Sequence, residues 1–204
     1  HGYAFSTRID DDDLVDPHDR RIDSWGRLKR EGVTLHPDTH VVYMTEDHGQ
    51  GCFYRFVPDE PTDFMGTGRL QAMALDGIVD TDPDAYREEG SEWAVHWVDV
   101  ADPQASDSPC RAQAREAGAA RFNRCEGSVW DGSFVWFIAS TAGPTSGGQI
   151  FRYDPVAERI MLFVQVMDRS RLSMPDNLTV SPWGDLILAE DNYDNAGGAT
   201  HQYL

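Results

Sequence analysis

The sequence predicts an all-β chain of β-propeller type, interrupted by one helical insertion. Two observations carry that prediction. Short runs rich in Val, Ile, Phe, Tyr and Trp follow one another, separated by Gly, Pro, Asp and Asn. A longer pattern can also be laid over itself three times.

In chain order the strand runs are "HVVYM" from His40, "CFYRFV" from Cys52, "EWAVHWVDV" from Glu92 and "SFVWFIAS" from Ser133. Then come "QIFRYD" from Gln149, "RIMLFVQV" from Arg159, "LTV" from Leu178 and "DLILA" from Asp185. One region reads as helix, Pro103 to Arg121 around "SPCRAQAREAGAARF", because Ala and Arg favour helix. It is taken as an insertion over residues 101–121 within a propeller domain spanning 1–204.

The repeat consists of "EGVTLHPDTHVVYMTED" from Glu31, "EGSVWDGSFVWFIAST" from Glu126 and "DNLTVSPWGDLILAED" from Asp176. Each unit opens on an acid followed by Gly or Asn. Six residues later stands a turn residue, Pro37, Gly132 or Pro182. An apolar strand follows, and fourteen or fifteen residues after the acid stand Glu46, Ser140 and Glu190. Two units close with an aromatic strand, and "HQYL" starts a third. The second and third units lie 50 residues apart and the first and second 95 apart, enough for an extra blade or for the insertion. A repeat of about 40–50 residues built from antiparallel strands is the mark of a propeller. Equivalent positions of successive blades converge on the central channel, so an acid repeated in register becomes a ring of carboxylates.

Clustered carboxylates repel one another and are costly to bury unless paired or metal-bound. Taken alone, each opening acid would be read as a turn residue. Three in register point to a site. Glu31, Glu126 and Asp176, with Glu46 and Glu190 at the far ends of their strands, call for hard cations such as Ca²⁺, Mg²⁺, Mn²⁺ or Fe³⁺. Asn177 adds a neutral oxygen. Asp47 and Asp191 alternate with the preceding Glu and are weaker candidates. Arg27, Lys29, Arg30, Arg121 and Arg124 flank the opening acids. They either balance charge or bind an anionic group such as phosphate.

Composition sets limits. There are 17 basic and 35 acidic residues, for a net charge of −18, which argues against a nucleic-acid binder. It suits a cation-loading or extracellular protein. "DDDDLVDPHD" from Asp10 has no calcium-loop spacing and reads as a solvated acidic run. No apolar run reaches the ~18 residues of a membrane span. Three cysteines are too few for a disulfide framework, although Cys110 and Cys125 could pair in an oxidising compartment. The chain starts at His1 and stops in an apolar run, so it reads as an internal fragment whose leader is out of view.

"HGYAF", "WGRLKREG", "VVYMTEDHGQGCFYRFVP", "RFNRCEG" and "PDNLTVSPWGDLILAEDN" together resemble, in that order, the PhoX-type alkaline phosphatases. The resemblance covers most of the chain outside residues 76–120. It implies a six-bladed propeller, of which this chain holds about three to four blades, in a secreted protein exported to the periplasm or beyond by the twin-arginine route. It implies hydrolysis of small phosphate monoesters by a monomer carrying Ca²⁺ and Fe³⁺, with a metal-bound oxide or hydroxide as nucleophile. It marks Glu31 and Glu126 as metal ligands, and Asp176, Asn177 and Glu190 with them. Glu31, Glu126, Glu190 and Arg124 become the candidate catalytic residues. The family's iron-binding cysteine lies in a Thr-Cys-Glu-Glu motif before the "HGY" strand, where this chain begins, so the isolated chain is expected to be incomplete. Two other readings are a calcium-dependent propeller hydrolase of the lactonase or gluconolactonase kind and an inactive calcium-binding scaffold.

Overall fold

The structure, a computed structural model, describes residues 2–7, 20–78 and 86–191. The acidic run from Asp10 and the closing "HQYL" lie outside the described residues. A short hairpin, β1 (Ala4–Phe5) with β2 (Arg21–Ile22), precedes the first blade. That blade comprises β3 (Arg30–Leu35), β4 (Val42–Glu46), β5 (Phe53–Pro58), β6 (Gly68–Leu75) and β7 (Glu92–Asp99). The helix α1 (Cys110–Glu116) follows. The second blade is β8 (Cys125–Trp130), β9 (Val135–Ala139), β10 (Gln149–Asp154) and β11 (Arg159–Gln165). A third opens with β12 (Pro175–Val180) and β13 (Leu186–Glu190).

All neighbouring strands among the described residues are antiparallel. The long strand β7 joins the first two blades. Its second half pairs with β6 and its first residues, Glu92–Ala94, pair with β11. The result is one nine-stranded sheet in the order β3-β4-β5-β6-β7-β11-β10-β9-β8. It curls until its two edge strands, β3 and β8, lie against each other, and β12 packs beside β8. Three innermost strands thus stand side by side, as a propeller axis requires. Among the described residues, the stretch between Glu31 and Glu126 holds the first blade, with its fifth strand β7, and the helix.

The alternation of β4 shows how the sequence specifies this packing. Tyr43 joins the core between the blades, while Val42 and Met44 face the opposite core. Every residue of β4 is buried, which an apolar strand covered on both sides demands. The inter-blade core stacks Phe53 on Phe137 with ring centroids 4.1 Å apart, and Phe151 and Phe122 pack against Phe137. Each fully buried ring contributes about 1.5–3 kcal/mol. The opposite core takes Trp25, Tyr54 and Phe56 together with Cys110 and Ala114 of α1.

Three local readings of the sequence need correction. The helix is shorter than residues 103–121, because Asp102 folds the chain before it: its carboxylate accepts the N–H groups of Gln104 and Ser106. Gly118, at φ +100°, stands just beyond its end. The strand β6, "GRLQAMAL", is poor in β-branched residues and becomes a strand through pairing on both sides. Cys110 and Cys125 do not pair. All three cysteines are free and buried, and these two belong to different cores.

Candidate active site

Each opening acid stands at a β-bulge in an innermost strand. The register of β3 against β4 slips between Arg30 and Val33, leaving Glu31 and Gly32 opposite Thr45. That of β8 against β9 slips between Cys125 and Ser128, around Glu126 and Gly127. That of β12 against β13 slips between Pro175 and Asn177, around Asp176. A bulge takes a residue out of the ladder, sharpens the twist and re-aims its side chain. The three acids line one cavity of about 240 Å³, with Asn177 among its walls.

The glycine after the acid has a steric reason. A Cβ on Gly32 would lie 2.7 Å from the backbone nitrogen of Ser128 and 2.9 Å from the carbonyl oxygen of Glu126. A Cβ on Gly127 would lie 2.7 Å from Asn177 Oδ1 and 2.9 Å from Asn177 Cα. Adjacent blades therefore touch backbone to backbone at the level of the acids. Two residues before the acid, Arg124 and Met174 adopt left-handed backbones, at φ 53° and 49°. That conformation costs a non-glycine residue about 1 kcal/mol. At Arg124 it is held by two hydrogen bonds: its N–H donates to His48 O at 3.0 Å and its carbonyl accepts the Ser140 N–H at 2.8 Å.

The cluster carries an excess of negative charge. Glu126 is 4 % exposed. Burial, reinforced by Asp47, Asp176 and Glu31, pushes its carboxyl up to about 9 against the opposing pull of Arg124. Burial and Asp47 raise Glu31, and burial and Asp191 raise Asp176. Asp47 behaves oppositely. Burial would raise it, but hydrogen bonds from Arg124 and Lys29 outweigh that and hold it below the usual carboxylate range. Arg124 Nε donates to Asp47 Oδ1 at 2.8 Å and Nη2 to Glu126 Oε1 at 3.3 Å, while Lys29 Nζ pairs with Asp47 Oδ2.

The remaining candidates do not line this cavity. Both oxygens of Glu46 are engaged elsewhere: Oε1 accepts Arg111 Nη1 at 3.0 Å and Oε2 accepts the Tyr54 hydroxyl at 2.7 Å. Glu190 Oε1 accepts the Ser173 N–H at 2.6 Å. Asp191 donates its N–H to Met174 O at 3.2 Å. Arg30 turns into the core beside β3, donating to Trp25 O and Gly26 O, and burial lowers it to about 10. Sequence reasoning missed Arg111 and Thr45. The Arg111 contact joins residues 65 positions apart, and nothing local announces it.

In donor chemistry the cavity fits a hard cation: three carboxylates, one of them deeply buried and short of compensating charge, with Asn177 beside them, its Oδ1 accepting the Leu178 N–H at 2.8 Å. Among the described residues, no three His, Cys, Asp or Glu side chains close around a single ion position.

A family model described as "Alkaline phosphatase PhoX" matches residues 1–202. Among solved structures, the chain is similar to one titled "Pseudomonas fluorescens PhoX in complex with vanadate, a transition state analogue", with a TM-score of 0.60 and 20% identity. The match covers 90% of this chain and 42% of that one, so this chain spans under half the length of that relative. That likeness establishes a shared fold. No curated protein matches the chain.

Proposed function

Because the chain belongs to the PhoX family of alkaline phosphatases, we propose that the bulge-borne carboxylate cavity is part of a metal-dependent phosphatase site acting on small phosphate monoesters. The observation that carries this reading is the convergence of Glu31, Glu126 and Asp176 on one cavity beside Arg124. Glu31, Glu126, Asp176 and Asn177 would hold the cation, with Ca²⁺ and Fe³⁺ the ions that the family resemblance implies. Bound ions of this kind polarise phosphoryl oxygens and offset charge on the leaving alkoxide.

The chain's own residues prepare the site. Burial and mutual repulsion leave Glu126 eager for either a proton or a cation. Arg124, fixed by its left-handed backbone and by Asp47, directs a guanidinium to the edge of the cavity. A guanidinium so placed contributes positive charge that favours an anionic phosphoryl group nearby. Asp47 also gathers Lys29, which brings a second positive charge to the same edge. Secretion to the periplasm or beyond, and action as a monomer, belong to the same proposal. No helix among the described residues is long and apolar enough to cross a membrane.

The test is hydrolysis of p-nitrophenyl phosphate by the natural protein with Ca²⁺ added, comparing wild type with Glu126→Gln. A wild type that hydrolyses the ester and a variant that loses it support the reading. An inactive wild type, or a fully active variant, ends it.

A further inference from the structure

We propose that Thr45 is a positioning residue of the carboxylate cluster, its hydroxyl setting the separation of Glu31 and Glu126 across the blade interface. The inference rests on the proposed cation-binding role of that cavity. Thr45 is the β4 residue that faces the bulge holding Glu31 and Gly32. The bulge removes Gly32 from the backbone ladder, and the side chain of Thr45 takes over: its Oγ1 accepts the Gly32 N–H at 2.6 Å. The same hydroxyl donates to the carbonyl oxygen of Glu126 at 2.5 Å. One fully buried atom therefore ties the residue beside one acid to the backbone of the other.

Among the described residues, this link stands at the first interface and not at the second. Ile138 faces the equivalent bulge of the second blade and has no hydroxyl to offer. Further along the same interface, Thr34 and Ser128 share a side-chain hydrogen bond at 2.7 Å. That bond holds the same two strands together without contacting either acid. The pair Thr45 and Thr34 thus separates positioning of the acids from cohesion of the blades.

The experiment is calorimetric titration of the metal-free natural protein with Ca²⁺, as wild type, Thr45→Val, Thr45→Ser and Thr34→Val. Valine keeps the shape of threonine and loses the hydroxyl; serine does the reverse. Loss of an outer-shell partner of a metal site typically weakens affinity about 10–100-fold. Thr45→Val is expected to weaken binding on the order of tenfold. Thr45→Ser and Thr34→Val are expected to bind like wild type. Should Thr45→Val not fold, Thr45→Ala removes the same hydroxyl without adding bulk. Unchanged affinity in Thr45→Val, an equal loss in Thr34→Val, or no Ca²⁺ binding by wild type overturns the inference. The readout needs no turnover. A protein that binds Ca²⁺ through this arrangement but cleaves no phosphate ester sinks the phosphatase reading and leaves the positioning role standing.

Discussion

Arg124 of the second blade donates to Asp47 of the first at 2.8 Å. The bond crosses the interface that the two opening acids flank. It joins the residue that stands two positions before Glu126 to the residue just past the end of β4, whose N–H donates to Lys29 O at 2.9 Å. Asp47 also holds Lys29, so one carboxylate organises both cations at the edge of the cavity.

Removing that carboxylate should loosen the interface. Asp47→Asn is expected to destabilise the natural protein by ~1–3 kcal/mol at neutral pH, with partly exposed partners keeping the loss moderate. The sign with pH follows from the depressed pKa of Asp47. Its contribution is present above the unfolded value of about 3.9 and is lost as pH falls through the lower folded value. Thermal melts of wild type and variant should therefore converge at acid pH, once Asp47 is protonated in both the folded and the unfolded protein.

Glu126 gives the opposite dependence. A folded carboxyl raised to about 9 lets the metal-free protein keep its stability below the unfolded value and lose it as pH rises toward 9. Glu126→Gln should raise the melting temperature of the chelated protein at pH 8, on the order of 5 °C, and flatten its pH slope. A lower melting temperature in the variant would contradict the assignment of Glu126 as an uncompensated buried acid.

The close approach of the blades predicts a steric effect at one glycine and not at another. Gly32→Ala would drive a methyl group into the backbone of Ser128 and Glu126, at an expected loss of about 1–3 kcal/mol. Gly49 is exposed, has an ordinary backbone, and meets only Asn123 Oδ1 at 3.6 Å. Gly49→Ala should be neutral in the same denaturant titration.

Glu46 separates stability from cation binding. Arg111 and Tyr54 occupy both of its oxygens in a site 1 % exposed. Arg111→Ala strands that charge and is expected to cost about 3–5 kcal/mol. A double-mutant cycle with Glu46→Gln should recover part of the loss, because the uncompensated carboxylate is then gone.

Much of this was legible in the sequence. The aromatic and β-branched runs marked their strands, because such residues pack well on a pleated, buried surface. The three opening acids were legible because a repeat preserves its register, and a propeller converts register into proximity. The bulges were not, since a skipped residue leaves no compositional trace and depends on the partner strand. Glu46 looked equivalent to Glu190 by spacing, yet Arg111 and Tyr54 engage it while Glu190 accepts a backbone N–H. Such partners are distant in sequence. The helix begins later than its Ala/Arg-rich composition suggests because the Asp102 turn competes locally with helical hydrogen bonding.

The most direct test of the central claim is p-nitrophenyl phosphate hydrolysis by four variants of the natural protein under saturating Ca²⁺: Glu31→Gln, Glu126→Gln, Asp176→Asn and Glu46→Gln. The three acids that share the cavity should each lose activity about 100-fold or more, as removal of a group that stabilises transition-state charge does. Glu46→Gln, assayed where it remains folded, should retain activity within about threefold, since Glu46 lies outside the cavity. Full activity in any of the first three, or loss in Glu46→Gln equal to theirs, would contradict the account.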